Sequence, residues 1–458
     1  QQQMAAFRSG QLQALCSVDI LNEGVDVPDV NVVIMLRPTA SPIVFLQQLG
    51  RGLRRSPGKT EVLVLDFIGA HRAEYRIDLK LAALTGLQRG EMSRAIESGF
   101  PYLPSGLSLS LDRIAKEHVL ANLKSQVRPS MSKLIEEIAS IGTTDLGAFL
   151  RIAGRELWEI YRDRETWGSL KQKSSLEKPR DSIHRGFVKK ILHVNDPLRF
   201  EAYKRFAKGE IAPWNLASEQ ERRLRNMFFW HLWPDANDSK GERWTDVDSA
   251  IRSLAADREF GDEVSEVLRH LETVSKNLVF ETGFKVRNLP LRTHASYSRY
   301  EIMGATGKAF LTGCEFGYET KSKSPNSIGF AVEGVQYVEE LELDVFYVTL
   351  KKGSQFSPST RYHDYALTDR LFHWQSQNKT STSSPTGQRY ISQIQNKTDV
   401  LLCIREAAES LIGAQTFTVA GLADYVEHSG SSPISIVWKL RIPLGYELHK
   451  LAAAERVA

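Results

Sequence analysis

The spacing of apolar positions divides the chain into three stretches of different character. From residue 1 to about 95, short and largely apolar runs at 14–20, 30–36 and 61–68 are separated by turn residues. Unbroken apolar runs of this length suit parallel strands buried on both faces. Residues 41–50 predict a helix between the second and third run. From about 100 to 280 the period becomes helical, and Val264, Val267, Leu268, Leu271, Val274 and Leu278 share one face. This stretch holds six of the eight tryptophans. Trp230 and Trp233, within Met227-Phe228-Phe229-Trp230-His231-Leu232-Trp233, are therefore expected in a core. From about 283 to 450 the period falls to two. Leu341, Leu343, Val345, Tyr347 and Thr349 alternate with Glu342, Asp344, Phe346 and Val348, and Ile434 to Ile442 alternates likewise. Residues 400–405 predict a third strand, and the Ser-, Thr- and Asn-rich residues 375–387 a loop.

The predicted architecture has three parts. Residues 1–95 form an α/β partial lobe with a parallel sheet. Residues 100–280 form a mostly helical linker domain. Residues 283–450 form an α+β domain with a mainly antiparallel sheet. A chain of 458 residues suits about three domains at ~100–200 residues each.

Composition narrows the class only modestly. The net charge of +4 permits a nucleic-acid partner without requiring one. Cys16, Cys314 and Cys403 form no Cys-x-x-Cys pair, which argues against a zinc site or a disulfide framework, and no metal ligand set is expected. No apolar run approaches the ~18–20 residues that span a membrane. The expected setting is cytoplasmic.

Two short segments carry most of the readable chemistry. Glu23-Gly24-Val25-Asp26-Val27-Pro28 follows the first predicted strand. Gln47-Gln48-Leu49-Gly50-Arg51-Gly52-Leu53-Arg54-Arg55 lies on or beside the predicted helix. The spacing in Gln47-x-x-Gly50-Arg51-x-x-Arg54 would put Gln47, Arg51 and Arg54 on one helical face. In this order, with Arg37-Pro38-Thr39 between them, they resemble motifs V and VI of superfamily 2 (DEAD/DEAH-type) helicases, in the second RecA-like lobe.

That resemblance implies that Arg51 and Arg54 are arginine fingers, and that Gly24, Asp26, Gln47 and Gly50 lie near nucleotide. It also implies that Ser17, Val18 and Asn22 touch the nucleic-acid strand; Val18 stands where many relatives have threonine. ATP and Mg2+ are the implied cofactors, held mainly by a first lobe. No Gly-x-x-x-x-Gly-Lys-Ser/Thr loop and no Asp-Glu-x-His or Asp-Glu-x-Asp box occurs in these residues. With Gln1 as first residue, the chain is expected to be the C-terminal fragment of a longer bacterial protein, inactive as an ATPase alone.

The segments from about residue 289 resemble an uncharacterised domain that follows helicase cores in some bacterial proteins. They include Leu291-Arg292-Thr293-His294-Ala295-Ser296-Tyr297-Ser298-Arg299, Leu371-Phe372-His373-Trp374-Gln375 and Ser384-Pro385-Thr386-Gly387-Gln388-Arg389-Tyr390. They are expected to gather aromatics, amides and arginines on loops. Arg292, His294, Tyr297, Arg299, Phe372, Trp374, Gln375, Arg389 and Tyr390 suit base stacking and phosphate contact. The alternative for Trp374 is an aromatic core, and for Arg299 an ion pair with Glu301 or Asp364. Asp344 followed by Lys351 and Lys352 faintly matches a metal-dependent nuclease, but Thr349 stands where the second carboxylate belongs.

The function expected is therefore the C-terminal part of an ATP-dependent helicase or translocase, acting on DNA ahead of RNA, in phage defence or DNA repair. A non-enzymatic module that binds nucleic acid or a protein partner is the alternative.

Overall fold

The computed structural model describes residues 2–16, 29–36, 45–46, 49–50, 56–57, 59–67, 80–81, 84–85, 92, 95–96, 99–100, 103, 108–126, 130–162, 165–178, 182–238, 240–275, 278–284, 289–311, 334–351, 364–410 and 413–454. Two compact units are present, spanning residues 1–136 and 137–458. Among the described residues no helix is long and apolar enough to cross a membrane.

In the first unit, helix α1 (Gln2–Arg8) precedes two short strands, β1 (Val32–Met35) and β2 (Leu63–Asp66). These strands pair in parallel, with Val32 opposite Leu63 and Met35 opposite Asp66. Val33, Met35 and Val64 point to one side and pack on Phe45, Leu49 and Leu84. The alternate residues Val32, Ile34, Leu63 and Leu65 are exposed. Residues 45, 46, 49 and 50 are helical, within the predicted 41–50. Of the predicted run 14–20, residues 14–16 are irregular and the rest lie outside the described residues. A second cluster, Leu81, Met92, Ile96, Phe100 and Val119, involves helix α2 (Arg113–Gln126).

Helix α3 spans Met131–Ile141. The second unit then continues with α4 (Leu146–Ala153), α5 (Leu157–Ile160), α6 (Trp167–Lys173), α7 (Pro197–Ala207), α8 (Glu219–Leu232), α9 (Val247–Ser253) and α10 (Arg258–Val274). Their starts are written locally. Asp145, Thr166, Asp196, Ser218, Asp246 and Asp257 each accept a backbone N–H at an N-cap. Val264, Val267 and Leu268 are buried, as their spacing predicts. The apolar face ends sooner than expected: α10 stops at Val274, and Val274 and Leu278 are exposed.

A buried carboxylate organises the start of α6. Glu263 accepts the Tyr161 hydroxyl at 2.8 Å and the backbone N–H groups of Trp167 at 2.7 Å and Gly168 at 3.3 Å. Burial outweighs these bonds and pushes the Glu263 carboxyl up to about 7.

The chain next forms a small ribbon, β3 (Phe280–Glu281) with β4 (Arg292–Thr293), then β5 (Ser296–Tyr297) and α11 (Arg299–Thr306). The main sheet adds β6 (Val335–Val338), β7 (Leu343–Thr349), β8 (Tyr365–Ala366), β9 (Leu371–Gln375), β10 (Asp399–Arg405), β13 (Phe417–Ser429) and β14 (Ser435–Leu440). Between β10 and β13 a short ribbon pairs β11 (Glu409–Ser410) with β12 (Gly413–Ala414). The order is β6-β7-β10-β13-β14-β9-β8, and β5 adds to β13. Among the described residues only β7 and β10 run parallel in it; the other pairings are antiparallel.

β7 does not behave as an amphipathic strand. Leu343 to Val348 are all buried, because the strand is central and covered on both faces. β14 does alternate, with Ile436, Trp438 and Leu440 inside. On one face, α12 (Pro385–Ile391) and α14 (Tyr446–Ala454) cover a core of Phe346, Trp374, Trp438 and Leu402. The short helix α13 (Gln393–Asn396) follows α12.

The helical segment and the sheet segment belong to one compact unit. α8 and α11 cross so closely that a Cβ at Gly304 would lie 2.8 Å from the Asn226 carbonyl and the Met227 nitrogen. Arg223 on α8 donates to the Ala305 carbonyl at 2.6 Å across the same crossing.

Two outcomes follow. Gly304→Ala should force the helices apart and cost about 1–3 kcal/mol, read as a lowered melting temperature; an unchanged melting curve would refute the close crossing. For Glu263, the unfolded carboxyl ionises near 4.5 and the folded one near 7. Its contribution is present below pH 4.5 and is lost as pH rises to about 7, by roughly 3 kcal/mol at most. Glu263→Gln should flatten that part of the stability–pH profile, and a profile of unchanged slope would contradict the assignment.

Candidate functional site

Eight of the nine residues expected near nucleotide or strand in the first unit, Ser17, Val18, Asn22, Gly24, Asp26, Gln47, Arg51 and Arg54, lie outside the described residues. Gly50 is helical, and a Cβ added there would meet nothing within 4 Å. At the end of β2, Asp66 pairs with the buried Lys80 at 3.1 Å, and the same ammonium sits 4.8 Å from the centre of the Phe45 ring.

Of the residues expected to read nucleic acid on loops, His294 lies in the turn between β4 and β5, and the others lie in strands or helices. Phe372, Trp374 and Gln375 belong to strand β9, Arg389 and Tyr390 to helix α12, and Arg299 opens α11. The stacking expectation is corrected by burial. Tyr297, Phe372, Trp374 and Tyr390 are core residues, so none offers a free face to a base. Trp374 stacks on Phe346 at 4.2 Å between ring centres, and Tyr390 meets both rings edge-on. The Tyr297 hydroxyl accepts the Arg292 backbone N–H at 2.9 Å.

The polar members are engaged as well. Arg389 grips Asp344 with two nitrogens, at 2.7 and 2.9 Å, and lies 3.9 Å over Tyr337. Arg292 pairs with Glu281 at 3.0 Å. His294, held at a φ of 71°, hydrogen-bonds the Pro443 carbonyl through Nε2. Gln375 donates to Ser435 Oγ at 3.2 Å. The nuclease pattern also dissolves. Asp344 and Lys351 are seven residues apart along an extended segment, ~23 Å, and Lys351 pairs with Glu406.

Arg299 does not pair with Glu301. It lies over Tyr347, 4.1 Å from the ring centre. Glu301 instead centres a buried cluster that sequence reasoning missed. Its Oε1 accepts Arg199 Nη1 at 2.8 Å and the Tyr203 hydroxyl at 2.8 Å. Its Oε2 accepts the Ser298 N–H at 2.7 Å and faces His193 Nε2 at 2.6 Å. Arg199 is also fully buried. It bonds Asp196, donates to the Ser296 carbonyl at 2.6 Å, and stacks 3.9 Å over Tyr297. Burial alone would raise the Glu301 carboxyl, but His193, Arg199 and His231 hold it well below the usual carboxylate range. Burial pulls His231 down to about 4.

His193, His231 and Glu301 offer three ligand atoms within 4.8 Å of one another. The donor set does not suit a metal. Both Glu301 oxygens already hold two partners each, and one of these partners is the Arg199 cation, beside which a second cation would have to sit. The cluster is a charge-satisfied lock between the helices and the sheet edge. Its one sequence signal is Ser298-x-x-Glu301, a capping box; nothing in the spacing announces His193 or Arg199.

The comparisons with known proteins bear on the two ends of the chain. Residues 1–56 match the helicase conserved C-terminal domain, and residues 319–451 match a domain of unknown function, DUF3427. A 51.5 kDa protein of a Lactococcus phage is 43% identical over 68 residues, 15% of each chain. The putative ATP-dependent helicase IRC3 of Saccharomyces cerevisiae is 38% identical over 64 residues, 14% of this chain and 9% of that protein. The DNA 3'-5' translocase XPB2 of Sulfurisphaera tokodaii is 34% identical over 71 residues, 16% of each. The matched stretch thus spans only 9–16% of these relatives' own length. The chain carries a helicase C-terminal domain, which implies a RecA-like lobe, and a DUF3427 domain beyond it.

Breaking the lock should be costly. Arg199→Ala would leave the Glu301 and Asp196 carboxylates buried without their cation, and about 3–5 kcal/mol of stability should be lost. Chemical denaturation measures this, and a loss below ~1 kcal/mol would mean that water or another cation replaces Arg199.

Proposed function

We propose that this chain is the C-terminal part of an ATP-dependent superfamily 2 DNA helicase or translocase, working in the cytoplasm in phage defence or DNA repair. The observation that carries the reading is the match of residues 1–56 to the helicase conserved C-terminal domain, with Gln47-x-x-Gly50-Arg51-x-x-Arg54 inside it. A relative named as a DNA 3'-5' translocase supports DNA as the partner.

In this reading Arg51 and Arg54 act across the cleft between two lobes. Charge builds on the γ-phosphate oxygens as the bond to the leaving group breaks, and a guanidinium neutralises it. Arginine suits the task because it stays charged and its planar fork engages two oxygens together. Gly24, Asp26, Gln47 and Gly50 line the same cleft, and Ser17 and Asn22 follow the strand. A first lobe holds ATP and Mg2+, whose charge offsets that of the phosphates. The unit spanning 137–458 selects the substrate. Because its aromatic candidates are buried, it does so through the polar ends of its strands and helices.

The test joins this chain to a first lobe bearing the phosphate loop and acidic box. Arg51→Ala and Arg54→Ala should each lower ATP turnover by ~10³-fold or more. Turnover that survives the double substitution, in the joined protein or in the 458-residue chain alone, would overturn the assignment.

A further inference from the structure

Strand β2 ends on a charge in its core-facing register. Leu63 and Leu65 are exposed, whereas Val64 packs on Phe45 and Leu49. Two residues on, Asp66 points to the same side as Val64, because successive side chains of a strand alternate. The pairing register places it beside Met35, the last residue of β1 and a member of the same apolar cluster. A carboxylate in such a place is costly without a cation.

Lys80 supplies the cation. Its ammonium is buried, donates to Asp66 Oδ2 at 3.1 Å, and lies 4.8 Å from the centre of the Phe45 ring. One group thus touches both the end of the sheet and the helical residues that rest on it. Residues 45, 46, 49 and 50 are helical, and Arg51 follows Gly50 directly in sequence. Their apolar seat is small: Phe45 and Leu49 meet Val33, Met35, Val64 and Leu84. A cation held against the Phe45 ring adds a contact that apolar packing alone does not give.

Lys80 is itself fixed from behind. Residues 80, 81, 84 and 85 are helical. Leu84 joins the Phe45 cluster, and Leu81 joins the second cluster with Met92, Ile96, Phe100 and Val119. The ammonium therefore stands on a post anchored in two cores of the first unit.

An ion pair of this kind also serves simply to hold a fold together. Two observations give this one a more directed role. It stands at the carboxyl ends of the parallel strands β1 and β2, the end at which open α/β sheets commonly hold ligands. It also grips the helical residues that lead straight into Arg51. A guanidinium that must meet a transferring phosphate tolerates little error, since a displacement of about 1 Å costs on the order of 100-fold in rate.

We propose that Lys80 and Asp66 are positioning residues for ATP hydrolysis. Their ion pair, with the Lys80 contact on Phe45, sets the helix that leads into Arg51 and Arg54. The catalytic consequence rests on the function proposed above; the anchoring of residues 45–50 rests on the geometry alone.

Two measurements separate the anchor from its consequence. In the 458-residue chain, amide hydrogen exchange is followed by mass spectrometry on peptides covering residues 41–56, with α2 as the reference. Lys80→Met keeps the unbranched stem and removes the charge. It should speed exchange in 41–56 by about tenfold and leave α2 unchanged. Asp66→Asn should act in the same direction, and it serves if Lys80→Met does not fold. In the chain joined to a first lobe, Lys80→Met should lower kcat for ATP by ~10–100-fold with little change in KM, and Lys80→Arg, which keeps a cation, should restore most of it. Unchanged exchange in 41–56 for both Lys80→Met and Asp66→Asn would overturn the anchor. Equal acceleration in 41–56 and α2 would do the same, because it reports a general loss of stability. Faster exchange with kcat unaltered, while Arg51→Ala still abolishes turnover, would overturn the positioning role and leave the helicase reading standing. Full turnover in Arg51→Ala would overturn that reading and, with it, the catalytic role of the pair.

Discussion

The second unit depends on one buried carboxylate. Glu301 lies where α7, α8, α11 and the edge strand β5 come together. Taking a carboxylate out of water costs several kcal/mol unless every lone pair finds a donor. Here each oxygen has two partners, drawn from His193, Arg199, Tyr203 and the backbone of Ser298. Three come from the helical segment, and Ser298 is Glu301's own helix cap. The ion pair can be satisfied only when the helices and the sheet edge are docked. Arg199 extends the constraint, because the same guanidinium covers Tyr297 and ties down the Ser296 carbonyl on β5.

That docking sets what the sheet can present. β5 adds to the start of β13, so the junction fixes the end of the sheet at which Phe417 sits. α11 begins immediately after β5, and its first residue, Arg299, is thereby carried to the rings of Tyr347 and Phe417. The buried and half-buried arginines of this unit differ in their partners. Arg199 and Arg389 grip buried carboxylates. Arg405 bonds the Thr349 hydroxyl and the Gln415 carbonyl.

The aromatics show why residue type misleads at this level. Phe372 and Trp374 carry the chemistry of a stacking platform. In an eight-stranded sheet, alternate residues of β9 must face the helices that cover it, and these two do. Tyr390 sits on the covering helix and completes the same ring cluster. Solvation, not composition, separates a core ring from a base-reading one.

Local order was legible without the fold. The helical spacing that buries Val264, Val267 and Leu268, the parallel β1–β2 pair and the alternation of β14 all follow from contacts within a few residues or from a period. The helicase segments were legible too, because their chemistry needs a glycine and arginines at short fixed spacing. What pairs across a hundred residues was not. Arg199 with Glu301, Tyr161 with Glu263 and Arg405 beside Arg299 are juxtapositions of distant segments. Such contacts have no period to reveal them. They exist because a buried charge must find its partner wherever packing places one, and only the tertiary structure decides where that is.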